Sequence, residues 1–419
     1  MEVIQAFIHL GPAVMMPVIF FLLALVFGVG GGKAFKAGML VGIGFVGIGL
    51  VIGMLLESLG PATAAMVQKF GLSLTAVDPG WPVGATIGWA TPIVPFVVFG
   101  GLIMNIVLLV FNLTKTVNID IFNYWHFLLT GGIAYAMTGS IAIGAAVALA
   151  NFLITIIIAD RTALSIQKAY KLQGVSFAHA TSAAFVPVGL LVNWLIERIP
   201  GLRSIEADPE VIMKRFGIMG EPLTLGSILG LALGFMAGWG VTDTLTLAIK
   251  IAAVMVLLPA MINVLVQGLV TVRDAAEAML KKKFPGRDFY IGLDTALLVG
   301  DPAVLATGLL LIPAALVLAF ILPGNKVLPF VDLSALVFLI PMVAPFCKRN
   351  MLRIFLSGLV ILTIVLYAGT YIAPYYTEAA HIANVGMPKG VSGTQMVNLV
   401  GGDVTPVGWF LIFLADLFN

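Results

Sequence analysis

The chain has 419 residues, 60% of them hydrophobic, and its charge is confined to 22 Lys and Arg and 20 Asp and Glu, a net charge of +2. Soluble domains carry about 25% charged residues, so this composition excludes a soluble enzyme and specifies a polytopic membrane protein. The basic residues lie in short loops between apolar runs, which gives nucleic acid no footing, and a single cysteine, Cys347, excludes an intrachain disulfide or a thiolate metal centre.

In chain order, the N-terminus MEVIQAFIHLGPAVMMP has neither a basic region nor a small-residue cleavage site, and so predicts no removed signal peptide. Apolar segments long enough for membrane helices, or nearly so, follow at 12–27, 37–56, 91–111, 122–138, 139–159, 222–238, 245–266, 303–322, 330–346 and 350–373. A short last segment covers 405–418. Three stretches mix apolar residues with Gly, Pro, Asp or His: 72–90, 174–199 and 284–302. Such runs predict re-entrant hairpins, because irregular backbone survives at membrane depth only where protein satisfies its N–H and C=O groups. The run DRTALSIQKAYKLQG, 160–174, predicts a cytoplasmic amphipathic helix on the bilayer surface.

Lys and Arg choose between threadings, since cytoplasmic loops collect them. With the N-terminus outside and 174–199 not crossing, all basic residues but Lys69, Lys250, Lys326 and Lys389 fall on the cytoplasmic side. Five spans then precede the central cytoplasmic region and five follow it, so the two halves have opposite orientation. Lys36, Asp78 and Asp120 have counterparts in Lys250, Asp294 and Asp332 at similar spacings. The expectation is an all-α membrane protein of ten to eleven transmembrane helices in two inverted five-helix repeats with re-entrant hairpins. The first repeat is expected over 1–159 with its hairpin at 72–90, a central cytoplasmic or re-entrant linker over 160–221, the second repeat over 222–373 with its hairpin at 284–302, and an outer loop and C-terminal segment over 374–419.

The polar residues inside this frame are few. Asp294, in FYIGLDTALLVGDPAV, has no simple structural excuse for sitting at membrane depth, and a carboxylate there costs roughly 2.5–3.5 kcal/mol on insertion scales. Asp301 precedes Pro302 and reads as a helix N-cap. In VDPGWP, Asp78 and Trp81 suit a hydroxyl and the C–H face of a sugar or polyol, against the plainer reading of a Pro-Gly turn with an interfacial indole. In NIDIFNYWHF, Asn123 and His126 share a helical face; a neutral imidazole can donate and accept at once, as a polyol hydroxyl requires, whereas Asp120 reads as a clamp. His179, among the small and hydroxylated residues of FAHATSAAFVP, suits a tight loop reaching a ligand. Glu221 reads as a helix-start carboxylate, and Cys347, beside Lys348 and Arg349, as packing. No residue pattern asks for a metal or another cofactor.

Taken together, KAGMLVGIGFVGIGLVIG (36–53), VDPGWP (77–82), VNIDIFNYWH (117–126), HATSA (179–183), KRFGIMGEP (214–222), IGLDTALLVG (291–300) and LPGNKVLPFVDL (322–333) resemble the enzyme IIC membrane component of the bacterial phosphoenolpyruvate-dependent phosphotransferase system, in its galactitol branch. The resemblance spans nearly the whole chain. It implies an inner-membrane transporter of galactitol or a similar polyol, coupled to phosphorylation by a separate enzyme IIB that carries a phosphocysteine and is itself charged by enzyme IIA. Related ascorbate carriers imply a homodimer in which a core moves against a scaffold, and the family pattern implies a further hydrophobic helix beyond residue 418. The resemblance carries over Asp78 or Trp81, His126, His179 and Asp294 to the solute site, Asn123 joins them by its shared helical face with His126, and Asp294 or His179 is expected to orient the reacting hydroxyl or accept its proton. Basic residues at 267–287 and 348–353 are expected to dock enzyme IIB. The competing reading is an ion-coupled secondary transporter built on Asp78, Asp294 and Lys250.

Overall fold

The computed structural model describes residues 12–69, 74–120, 122–207, 221–283, 287–386 and 395–417. Four helices form one layer: α1 (Pro12–Val26), α2 (Gly31–Lys69), α10 (Pro222–Ala237) and α11 (Val241–Lys283). The long α2 and α11 pack along each other, α1 lies on α2 and α10 on α11. Small residues permit the approach. A Cβ on Gly268 of α11 would sit 2.6 Å from the Ala37 carbonyl of α2, and one on Gly230 of α10 would meet the Ala248 backbone of α11. In lipid, where apolar burial between helices gains little, such backbone contact is what holds helices together.

The remaining elements form the second, more irregular body. Along the first half these are β1 (Ala76–Val77), α3 (Trp81–Ala90), α4 (Val94–Val110), β2 (Thr116–Asn118), α5 (Trp125–Thr138), α6 (Ile141–Tyr170), β3 (Val175–Ser176), α7 (Ala180–Ala184), α8 (Val186–Ile196) and α9 (Pro200–Arg203). Along the second they are β4 (Tyr290–Gly292), α12 (Ala296–Val299), α13 (Pro302–Ile321), β5 (Val327–Leu328), two 3-10 stretches (Val331–Leu339 and Ala344–Cys347), α14 (Met351–Ile382), β6 (Gln395–Met396) and α15 (Pro406–Asp416).

Six short extended segments organise this body into two three-stranded parallel sheets, ordered β5-β1-β6 and β2-β4-β3. Ala76 pairs with both Val327 and Gln395, and Ile291 pairs with both Val117 and Val175. Each sheet therefore joins strands from both halves of the chain. Parallel strands need crossovers, and here the crossovers are whole helices. The pairing also satisfies backbone groups of these short extended segments, which lipid could not.

Five helices among the described residues are long and apolar enough to cross a membrane: most of α2, α6, most of α11, α13 and α14. A sixth results if α3 and α4, bent 93° at the break between them, count as one broken span. The bend follows from Thr91 and Pro95, since the Thr91 hydroxyl returns to the Gly88 carbonyl and Pro95 stands in the first turn of α4. Shorter apolar helices are α8, the 226–237 part of α10, and α15.

Two expectations from sequence need correction. The run 330–346 is apolar enough for a span but forms two 3-10 stretches, wedged beside α13 and α2. Its start is fixed by side chains from elsewhere, described below, which outweigh hydropathy. The amphipathic segment at 160–174 is not a separate surface helix, since α6 runs without a break from a Ser140 cap to Tyr170 and ends on left-handed Lys171. Asp301 caps α13 through the Ala303 and Val304 amides, whereas Glu221 stands at the start of α10 without a side-chain bond to it.

Candidate solute site

Four places in the irregular body share one local pattern: a short strand, an aspartate, then a helix or 3-10 turn. They are β1–Asp78–α3, β2–Asp120–α5, β4–Asp294–α12 and β5–Asp332 with the 3-10 stretch Val331–Leu339. An aspartate in this position can turn back and accept the amides that open the following helix. How each one does so divides the molecule.

At the first sheet the carboxylates are exchanged. Asp78 Oδ1 accepts from the Gly80 amide (2.8 Å) and Oδ2 from the amides of Phe330 (3.2 Å) and Asp332 (2.6 Å). In return Asp332 Oδ1 accepts from the Trp81 amide (2.7 Å) and Oδ2 from the Leu399 amide (2.9 Å). Each aspartate thus caps the other's element, and both are fully enclosed. Gly80, at φ +93, gives the chain its turn into α3 beneath Val331.

At the second sheet the side chains converge differently. His126, in the first turn of α5, lies with its ring stacked on Trp125 at 3.7 Å and edge-on to the His179 ring at 4.5 Å. The two Nε2 atoms are 3.2 Å apart. His179 stands at the N-cap of α7, which β3 delivers to this point through its pairing with β4. Asp294 stands two residues past the end of β4; its Oδ1 accepts from the Ala296 amide at 2.8 Å and lies 3.9 Å from His179 Nε2. Its side chain retains 19% exposure, against 5% for His179. Three separate chain segments therefore bring two imidazoles and a carboxylate to one buried point.

Around this point, Asn123 is buried and donates from its amide nitrogen to Asp120 Oδ2 at 2.7 Å. Asn118 and Asn105 brace the same turn, the Asn118 amide donating to Asn105 Oδ1 and the Asp120 amide to Asn118 Oδ1. Trp81 is half-buried, its ring 6.2 Å from that of Trp125, so the start of α3 reaches the histidines through an indole. Of the six residues singled out from sequence, His126, His179 and Asp294 meet directly, and Trp81 and Asn123 flank them. Asp78 is held in the other junction with no oxygen turned toward the histidines.

Sequence reasoning passed over Thr181 and reached Asp332 only as the counterpart of Asp120. The Thr181 hydroxyl lies 3.1 Å from His126 Nδ1 and donates to the Val400 carbonyl at 2.7 Å. Only the crowding of small and hydroxylated residues in HATSA hinted at it. The loop 398–403 that carries Val400 packs on His126, since a Cβ on Gly402 would sit 2.9 Å from the His126 carbonyl. Among the described residues no group of three or more His, Cys, Asp and Glu is placed to hold a metal ion.

On the expected cytoplasmic side, Arg349 grips the helix-capping Asp301 at 2.6 Å, and Arg353 and Lys348 both bind Glu197 at the end of α8. These hydrogen bonds, that of Arg353 first, pull the Glu197 carboxyl down to about 2. Arg353 also donates to the Arg203 carbonyl at 2.9 Å, and the Asn350 amide to that of Ile205 at 2.7 Å, tying 197–205 to α14. The three basic residues at 348–353 thus serve internal contacts. The side chains of Arg273, Lys281, Lys282 and Lys283 lie outside what the structure describes. Cys347 is buried with its thiol 3.4 Å from the Ser357 hydroxyl.

Comparison with known proteins follows the same outline. Residues 6–390 match the family described as the PTS system sugar-specific permease component, EIIC-GAT. The chain is 38% identical over 411 residues to the PTS system galactitol-specific EIIC component of Escherichia coli strain K12, covering 98% of this chain and 90% of that protein. The same figures hold for its counterpart in Escherichia coli O157:H7. A putative permease IIC component of the K12 strain is 39% identical over 401 residues, covering 95% of this chain and 92% of that protein.

Proposed function

The chain belongs to the EIIC-GAT family of sugar-specific permease components of the phosphotransferase system, a multi-pass protein of the bacterial inner membrane, and from that premise we propose that it carries a galactitol-like polyol held by His126, His179 and Asp294. One observation supports this site above others: two imidazoles and a carboxylate from three separate segments converge where most polar groups are otherwise spent on backbone amides. A polyol presents vicinal hydroxyls, each both donor and acceptor, and imidazole and carboxylate groups match that alternation. Trp81 offers an apolar face to the C–H side of the carbon chain, and Asn123 an amide at the edge.

The reaction proposed is vectorial group transfer. The polyol enters from outside, the irregular body shifts against the α1, α2, α10 and α11 layer, and enzyme IIB, charged by enzyme IIA, phosphorylates the solute from a phosphocysteine at the cytoplasmic face. Homodimerisation through the four-helix layer and embedding lipids complete the assembly. Asp78 serves here as a clamp with Asp332.

An inverted repeat underlies the arrangement in this reading. The paired sheets support it, as do two segments absent from the repeat boundaries expected from sequence. β3, α8 start and α8 end (Val175, Val186, Ile196) recur at the same mutual spacing as β6, α15 start and α15 end (Gln395, Pro406, Asp416). The repeats then extend through Ile196 and Asp416 and include the segments at 174–196 and 395–416, which become partners.

An ion-coupled carrier would need Lys250 with Asp78 and Asp294. Lys250 instead lines a cavity of about 290 Å³ with Glu57, Ser58, Trp239 and Asp243. Uptake into vesicles holding phosphorylated enzyme IIB tests the proposal: galactitol should accumulate as its phosphate, and gradient-driven uptake of unmodified solute would overturn it.

A further inference from the structure

The hydrogen bonds around the two histidines determine where their protons sit. Thr181 has one hydroxyl hydrogen, and the 2.7 Å contact to the Val400 carbonyl takes it, because a carbonyl can only accept. At its 3.1 Å contact with His126 Nδ1, therefore, Thr181 can only accept. That makes Nδ1 of His126 the protonated nitrogen and leaves its Nε2 with a lone pair. His179 Nε2 faces this lone pair at 3.2 Å and Asp294 Oδ1 at 3.9 Å. A second lone pair there would be repelled by both, so Nε2 of His179 carries hydrogen. Its other nitrogen, Nδ1, is then the bare one, and it is buried with no hydrogen-bond partner among the described residues.

We propose that Thr181 is a positioning residue: acting through His126, it fixes the tautomer of His179 so that Nδ1 of His179 is the base that takes the proton of the reacting solute hydroxyl. This rests on the reading of His126, His179 and Asp294 as the solute site. As the phosphoryl group arrives, the solute O–H bond breaks and its O–P bond forms. The donor's S–P bond breaks, its electron pair leaving with the thiolate sulfur, and the proton passes to the lone pair of His179 Nδ1. The imidazolium so formed has Asp294 beside its Nε2 side as counter-charge. Without the Thr181 link the chain of donors could run in the opposite sense, with hydrogen on His179 Nδ1, and the base would be lost in that fraction of molecules.

The test reads the tautomer and the rate separately. The chain has four histidines, so nitrogen-15 histidine labelling of the full-length protein in lipid gives a tractable spectrum, with His126→Gln and His179→Gln providing assignments. In the solute-free protein, His126 should show a protonated Nδ1 and His179 a bare one; the reverse pattern overturns the proposal whatever the solute proves to be. Thr181→Val should mix the tautomers and slow galactitol phosphorylation by enzyme IIB by about 10- to 100-fold, below the roughly 10²–10⁴ that a whole general base is worth. Its galactitol Kd should change less than threefold by the same reasoning, because no solute contact is removed. Thr181→Ser should restore both spectrum and rate. An unchanged spectrum in Thr181→Val, or failure of Ser to rescue a folded protein, also overturns the proposal. If His179→Ala binds and phosphorylates galactitol normally, the site reading itself fails, an outcome distinct from the tautomer measurement.

Discussion

The two sheet junctions start from the same local sequence logic and end in opposite states. At β5-β1-β6, Asp78 and Asp332 spend their oxygens on five backbone amides and are sealed from solvent. At β2-β4-β3, Asp294 spends one oxygen on one amide, keeps partial exposure and faces a histidine pair. A buried carboxylate whose acceptor capacity is consumed by rigid amides is a fastener. One left with free capacity beside other polar side chains is placed for a ligand, and the contrast can be broken by mutation.

The largest effect should come from the sealed junction. Asp78→Ala would orphan the amides of Gly80, Phe330 and Asp332, at about 1–3 kcal/mol for each buried unsatisfied donor. That sum is comparable with a whole domain's stability of about 5–15 kcal/mol. The variant should fail to yield a monodisperse peak in detergent, whereas Asp78→Asn, which keeps one acceptor oxygen, should be recovered in part. A well-folded Asp78→Ala protein that has lost only polyol affinity would turn the comparison around and make Asp78 a solute ligand.

At the open junction the order of effects reverses. Asp294→Asn retains an oxygen for the Ala296 amide, so melting in detergent should shift little. Losing a charge-assisted hydrogen bond to a hydroxyl costs about 1.5–3 kcal/mol, and galactitol binding by calorimetry should weaken roughly 10- to 100-fold. Normal binding would remove Asp294 from the site.

Sequence alone carried the class of fold and three residues that meet, because hydropathy and unexplained charge are local signals. It could not separate Asp78 from Asp294. Both follow a short extended run and precede a helix, and the difference lies in what crosses over from the other half of the chain: the Phe330 and Asp332 amides for one, His179 for the other. The same cross-chain capping turned 330–346 from an expected span into 3-10 turns. Thr181 was invisible for a related reason, since its role depends on a carbonyl 219 residues away.

A smaller effect should sharpen the contrast between Asp332 and Asp120, which occupy matching places. Among the described residues, the Asp120 carboxylate accepts from Asn123, through its backbone and side-chain nitrogens. Asp120→Asn keeps an acceptor oxygen there, so the protein should fold, with galactitol affinity changed only a few-fold, on the scale of a single neutral hydrogen bond at about 0.5–1.5 kcal/mol. Asp332→Asn instead presents an NH₂ group to either the Trp81 or the Leu399 amide and should cost visibly more in melting temperature.

The smallest expected effect separates the junctions by what fastens them from outside. The sealed junction is held by bonds from backbone amides to enclosed carboxylates, whereas the elements after β3 and β4 are tied by ion pairs, Glu197 to Arg353 and Lys348 and Asp301 to Arg349. Glu197 is depressed to about 2 from an ordinary value near 4.5, chiefly by its hydrogen bond from Arg353. A depressed carboxyl binds fewer protons folded than unfolded, so its contribution is fully present above about 4.5 and is lost as pH falls through the folded value near 2. The melting temperature of the wild type should accordingly fall more between pH 5 and pH 3 than that of Glu197→Gln, with the two curves converging at the acid end. The pair is more than a third exposed on the Glu197 side, so salt should narrow the gap. Parallel curves across this range would mean that the ion pairs do not fasten the open junction.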